Sequence, residues 1–240
     1  MYLWVATDGS NDNSCTSASK PCGTIQGAVD KVPFGTRGVI NVLPGRYDGA
    51  INIVGYLHNF IGIFGPHNSE DRCDDPSQVT ITASDDVAVW AQDHATVILG
   101  CFTVTAARVG FQARQFTILD FRDISFGEVS TAVSVTDLSI ASCTRPISLN
   151  ASGASFASAV GSQLNIGCDV AIAADLSFTA FFHAAKRSVI DTAHATFSVA
   201  GKGVVGGQKW ILINSEIGPN CAVPGTGVTQ LNNSVAPAGC

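Results

Sequence analysis

The sequence predicts an all-β chain wound as one parallel β-helix, a solenoid with a short capping helix at its N-terminal end. Three observations carry this expectation. Apolar residues alternate with period 2 in short runs. The runs recur at intervals of 22 or 23 residues. Between them stand glycine, asparagine, aspartate and serine, the residues that punctuate strands. Composition agrees: of 240 residues, 46% are hydrophobic, 13% are charged and 24 are glycine, which favours core and turn over amphipathic helix. Such a length suits one elongated β domain.

The opening strand, "MYLWV", is followed by a polar loop bracketed by Cys15 and Cys22. In "TIQGAVDKV" (24–32), Ile25, Ala28, Val29 and Val32 fall at helical spacing behind Thr24 as N-cap. A solenoid exposes unpaired strand and apolar core at its ends, so this helix reads as the N-terminal lid, with the Cys15/Cys22 loop tying the first strand to it. "FGTRGVINVLPGRYDGAINIVG" (34–55) supplies the first full strands. The repeats then run through "VILGCFTV" (97–104), "LDFRDISF" (119–126), "IASCTRPISL" (140–149), "LNIGCDVAI" (164–172) and "VIDTAHATFSV" (189–199).

Phe102, Ile124, Ile147 and Val170 are 22, 23 and 23 residues apart, and Val104, Phe126, Leu149 and Ile172 follow two places later. A second column runs Val87/Val89, Val109/Phe111, Val133/Val135. One turn cannot bury its inward side chains alone, whereas stacked turns share a core at a rise of about 4.8 Å. The rival reading, a hairpin-linked sandwich, asks for Asp-Gly or Asn-Gly turns between the repeats, and none stands there. "KWILINSEIG" (209–218) reads as the last strand pair. The β-helix domain is therefore set at 1–218, with 1–36 its N-terminal strand, loop and cap, and 219–240 a Gly/Pro/Asn-rich tail or cap.

Residues 4–53, "WVATDGSNDNSCTSASKPCGTIQGAVDKV" with "INVLPGRYDGAINI", resemble the N-terminal signature of right-handed parallel β-helix proteins of the pectate-lyase-like superfamily. In that signature a strand precedes a Gly-Ser-rich loop, a "P-x-x-T-I-x-x-A" cap helix and an "I-x-V-x-P-G-x-Y" strand. "FASAVGSQLNIGCDVAI", "ATFSVAG" and "GQKWILINSEI" with a later "PGTG" look like short β-helix proteins of bacteriophage and prophage tails, although the closing segment departs from their pattern. The resemblance implies a tail-associated, tailspike-like protein that binds bacterial-surface polysaccharide or has a structural role, assembled as a homotrimer. The alternative is a polysaccharide depolymerase, a lyase or glycoside hydrolase, with its site in a groove or between subunits. A third reading is a secreted pectate-lyase-like enzyme. The superfamily hosts all these activities, so the fold alone does not choose.

Charge and cysteines bound the setting. A net charge of −6 with 13 Lys and Arg offers no basic stripe for nucleic acid. No apolar run reaches membrane-spanning length, so no membrane insertion is expected. "MYLWVATDG" shows no basic leader or cleavage site, which points to cytosolic synthesis. The eight cysteines point outward, to a virion or extracellular protein released by lysis. Cys15 with Cys22, and Cys221 with Cys240, are the disulfide candidates; the other reading keeps cysteines reduced and packed as small apolar residues.

Candidates for chemistry are few. Asp120, Arg122 and Asp123 form an acid pair with a basic neighbour, the makings of a glycosidase couple or of a surface ion pair. By period 2, Asp120 and Arg122 share a face and Asp123 opposes them unless the strand bends. Asp85 and Asp86 sit together at a turn without the companion motifs of polygalacturonases. The acidic loop Glu70, Asp71, Asp74 and Asp75 suits Ca2+, or plain solvation; no other cofactor is expected. His94, His183 and His194 lack metal-ligand spacing. A polar ridge, His94, Arg114, Gln115, Asp137, Gln163 and Arg187 (beside Lys186, Gln208 and Lys209), lines one side of the stack. Regular hydrogen-bonding groups suit a repeating glycan, and they also keep a turn wet.

Overall fold

A computed structural model describes residues 1–55, 60–68, 70, 72–173, 176–200, 208–218, 223–224, 227–231 and 234, without side chains at 85 and 227–231. The chain is a parallel β-solenoid with three strand faces, each a stack of strands from successive turns. The first face stacks Tyr2–Val5, Arg37–Val42, Phe60–Phe64, the starts of Thr96–Ala113 and Ile118–Phe126, then Ile140–Cys143, Gln163–Ile166, Val189–Asp191 and Glu216–Ile217. The second stacks Gly45–Asp48, the start of Val79–Gln92, the middle of Thr96–Ala113, the end of Ile118–Phe126, Ile147–Leu149, Asp169–Ile172 and Thr196–Val199. The third stacks Ile51–Val54, the ends of Val79–Gln92 and Thr96–Ala113, then Val129–Thr136, Ser155–Val160, Ala180–Ala185, Gln208–Ile213 and Gly227–Leu231.

The predicted inward column is the second face: Phe102 pairs with Ile124, Ile124 with Ile147 and Ile147 with Val170. On the third face Val87 pairs with Val109 and Val89 with Phe111, as the sequence implies. One register differs. Val133 lies beside Phe111 and Val135 beside Ala113, two residues from the expected match. A two-residue shift keeps every inward side chain inward, so the hydrophobic pattern does not resist it, and the corner between faces takes up the difference.

The axis is filled by aromatic rings. Phe111 meets Phe102, Phe121 and Phe126 edge to face, at centroid distances of 6.0, 5.9 and 5.2 Å. A second cluster joins Phe156, Phe178, Phe181, Phe182 and Phe197 farther along. At the N-terminal end the cap helix spans Ile25–Val29, and Thr24 Oγ1 accepts from Gly27 N at 3.0 Å. Ile25, Ala28, Val29 and Val32 are all buried against the first turns.

The corner from the third face to the first contains a feature the sequence reading missed. Thr117, Ser139, Ser162, Ser188 and Ser215 stack there, at most 7% exposed. Each backbone N–H donates to the hydroxyl one turn on: Thr117 to Ser139 at 3.0 Å, Ser139 to Ser162 at 3.3 Å, Ser162 to Ser188 at 3.3 Å and Ser188 to Ser215 at 3.2 Å. The hydroxyls of Thr117, Ser162, Ser188 and Ser215 donate back to carbonyls of their own turn, those of Arg114, Val160, Ala185 and Ile213. A buried corner that strand pairing leaves unsatisfied is thus satisfied by side chains.

Candidate functional site

The corner between the second and third faces holds a run of concavities. Its turns differ in length, so they recede and project by different amounts. Three hollows join end to end. A hollow of about 240 Å3 at the cap end is lined by Thr7, Thr24, Gln26, Arg46, Asp48 and Gly49. The next, about 400 Å3, shares Arg46, Asp48 and Gly49 and adds Thr82, Ser84 and Asp86. The third, about 520 Å3, shares Ser84 and adds Arg108, Glu128 and Ser130. Together they form a groove along the rod over four successive turns. It is lined by hydroxyls, carboxylates and two guanidinium groups.

Local hydrogen bonds fix its walls. Asp48 Oδ1 accepts from Thr82 Oγ1 and, at 3.1 Å, from Arg46 Nε. The Thr82 hydroxyl, and after it Arg46, hold the Asp48 carboxyl below the usual carboxylate range. It is therefore an anion at neutral pH, an acceptor of hydrogen bonds. Farther along, Thr105 Oγ1 accepts from Glu128 N at 3.1 Å, and Glu128 O from Ala107 N at 3.2 Å, which clamps the two turns together. Gly127 is required at this clamp, because a Cβ there would lie 2.7 Å from Thr105 Oγ1.

Of the sequence candidates whose side chains are described, Asp86 lines the groove and the others lie elsewhere; the Asp85 side chain is outside the described residues. Asp120, on the outer side of the first face, accepts from Thr144 Oγ1 at 2.9 Å. Arg122 sets its guanidinium 5.0 Å over the Phe64 ring. Asp123 takes a left-handed conformation (φ 54°), so the strand bends there, and its carboxylate pairs with Arg145 at 3.4 Å. Three side chains engage three different neighbours, and none of them lines the groove. In the acidic loop Glu70 pairs with Arg72 at 3.5 Å, and Asp75 caps the 3-10 turn Pro76–Gln78. Asp71 lies outside the described residues. Among the described residues no three His, Cys, Asp or Glu side chains gather to hold a metal ion.

The polar ridge follows the corner from the third face to the first. His94, Gln115, Asp137 and Arg187 occupy its left-handed positions. His94 stacks on Phe116 at 5.1 Å. Arg114, just before the corner, lies 4.3 Å over the Trp90 ring and donates from Nε to Gln92 Oε1 at 2.8 Å. Gln163, just after it, donates to Asn165 at 2.8 Å.

Cysteine pairing was half legible. Cys15 and Cys22 form a disulfide beside the first strand, where Trp4 N donates to Cys15 O and Cys22 N to Trp4 O, both at 2.8 Å. Cys221 and Cys240 lie outside the described residues. Two further disulfides, Cys73–Cys101 and Cys143–Cys168, join consecutive turns. Their separations of 28 and 25 residues are near the repeat, a signal available in the spacing. The groove residues Arg46 and Asp48 also left a trace, as an Arg-x-Asp pair on one outward row. No described helix is long and apolar enough to cross a membrane.

No family model matches the chain, and no curated protein does. Among solved structures it is similar to Escherichia coli YbhC, with a TM-score of 0.56 and 14% identity over 95% of this chain and 75% of that one. At that identity the likeness is one of fold: a parallel β-helix.

Proposed function

We propose that this protein binds an extended polysaccharide of the bacterial surface in the groove between its second and third faces. One observation carries the reading: three hollows joined over four turns, lined by Arg46, Asp48, Thr82, Ser84, Asp86, Arg108, Glu128 and Ser130. A linear polymer needs a long open track with many directional hydrogen bonds, and the groove has this character. The sequence resemblance to tail β-helix proteins supports a virion setting, with the protein outside the bacterial cell when it acts. Among the described lining residues, three acidic groups against two basic ones favour neutral, hydroxyl-rich sugar over a densely anionic chain.

Binding of purified capsular and lipopolysaccharide glycans, measured by calorimetry with and without calcium, tests the reading. Arg108→Glu together with Asp86→Lys should weaken binding about tenfold or more, the loss of roughly 1.4 kcal/mol. Unchanged affinity in this variant would refute the groove. Release of new reducing ends during the assay would move the protein to the depolymerase reading.

A further inference from the structure

The corner from the third face to the first bears an apolar ridge. At four turns two left-handed residues make this corner: Asp93 with His94, Gln115 with Phe116, Asp137 with Leu138 and Lys186 with Arg187, all with φ between 56° and 66°. The second member projects outward, leaving Phe116 54% and Leu138 66% exposed. Beside them on the first face Ile118 and Ile140 pair in register and are 52% and 38% exposed. Holding an L-residue in left-handed backbone costs roughly 1–2 kcal/mol, and exposed apolar surface adds to that. Glycine would relieve both costs, yet Phe116 and Leu138 stand on adjacent turns.

The following turn differs. Leu138 N donates to Gly161 O at 3.0 Å, as Phe116 N does to Asp137 O, but Ser162 of the hydroxyl stack follows Gly161 at once. This corner has one residue where its neighbours have two, so the ridge has a notch next to Leu138. Charge is also divided among the left-handed residues of the ridge. Asp93 and Asp137 lie on the N-terminal side of the notch, Lys186 and Arg187 on the C-terminal side.

We propose that the ridge pairs with the same ridge of a second copy, antiparallel, about a two-fold axis between the Leu138 and Gly161 turns. Reversing the turn order seats Leu138 in the notch at the partner's Gly161. It brings Phe116 opposite the partner's Arg187, a cation–π geometry, and Asp137 within one turn of the partner's Lys186. Every contact is made twice. Charge decides the orientation: three parallel rods meeting along this ridge would set Asp137 against the partner's Asp137 and Arg187 against the partner's Arg187. The polar groove lies on a different corner, so pairing leaves both grooves open.

Light scattering on the eluting protein over a wide concentration range tests this. The expected mass is twice the 24.8 kDa chain. Leu138→Asp, at an exposed position, should give a folded monomer, with circular dichroism confirming the fold. Asp137→Lys should weaken pairing about tenfold or more, and adding Lys186→Asp to the same chain should restore it. A monomeric wild type, a mass three times that of the chain, or a dimer indifferent to Leu138→Asp would each overturn the proposal.

Discussion

Replacing Ser139 by alanine isolates one rung of the buried hydroxyl stack. Ser139 is fully buried, and its Oγ receives the Thr117 N–H at 3.0 Å. Thr117 is itself 1% exposed, so water cannot take the vacated place without opening the corner. Alanine removes little volume and little apolar contact, which leaves the orphaned amide as the dominant cost. An unsatisfied buried donor costs about 1–3 kcal/mol, so a destabilisation of about 2 kcal/mol is expected in urea unfolding. Hydrogen exchange gives the local counterpart: the Thr117 amide should lose protection more than its neighbours on the first face. Ser134→Ala, on the half-buried outer side of the third face, is the control and should stay within about 0.5 kcal/mol. A Ser139→Ala protein as stable as the wild type, with Thr117 still protected, would show that the stack satisfies no amide that matters.

Replacing Cys143 and Cys168 by serine opens a loop closed at a separation of 25 residues, and unfolding in urea should show a loss of about 3 kcal/mol. Burial holds His183 below its ordinary imidazole value, so on acidification the unfolded chain takes up its proton first. Stability should be complete above about pH 6.5 and fall as pH drops through that window. His183→Gln should flatten the slope, read from unfolding midpoints across the range. Burial, and then the charge of Asp8, push the Tyr47 phenol up to about 12 while its hydroxyl donates to Leu43 O at 2.8 Å. The stability tied to its neutral form should persist below about pH 10 and vanish as pH climbs toward 12. A late phenolate absorbance step, missing in Tyr47→Phe, reports it.

The strand stacks were legible because burial enforces them: Phe102, Ile124, Ile147 and Val170 must all point inward, and a period-2 pattern at a fixed interval leaves a record. The cap helix was legible for the same reason, with Thr24 supplying its start. What sequence hid was set by geometry between turns. Thr117, Ser139, Ser162, Ser188 and Ser215 each precede a strand, where serine reads as ordinary turn polarity. Only stacking turns them into one another's partners. The ridge was found through its polar letters, while its exposed members Phe116 and Leu138 went unremarked, because left-handed backbone that turns an apolar residue outward has no letter code outside glycine. The groove was least visible. Its residues come from turns of unequal length, so Asp86, Arg108 and Glu128 share no column.

The hydroxyl stack also gives the rod a direction of completion. Every amide in it points toward the C-terminus, and Ser215 N continues the series to Ser234 Oγ at 3.4 Å. During synthesis a newly formed turn therefore waits, one donor short, until the turn after it arrives. A chain cut before Ser188 would leave the Ser162 amide permanently open, however well its own strands had paired. The N-terminal lid closes one end with a helix, whereas toward the other end the described residues carry the hydroxyl series on to Ser234.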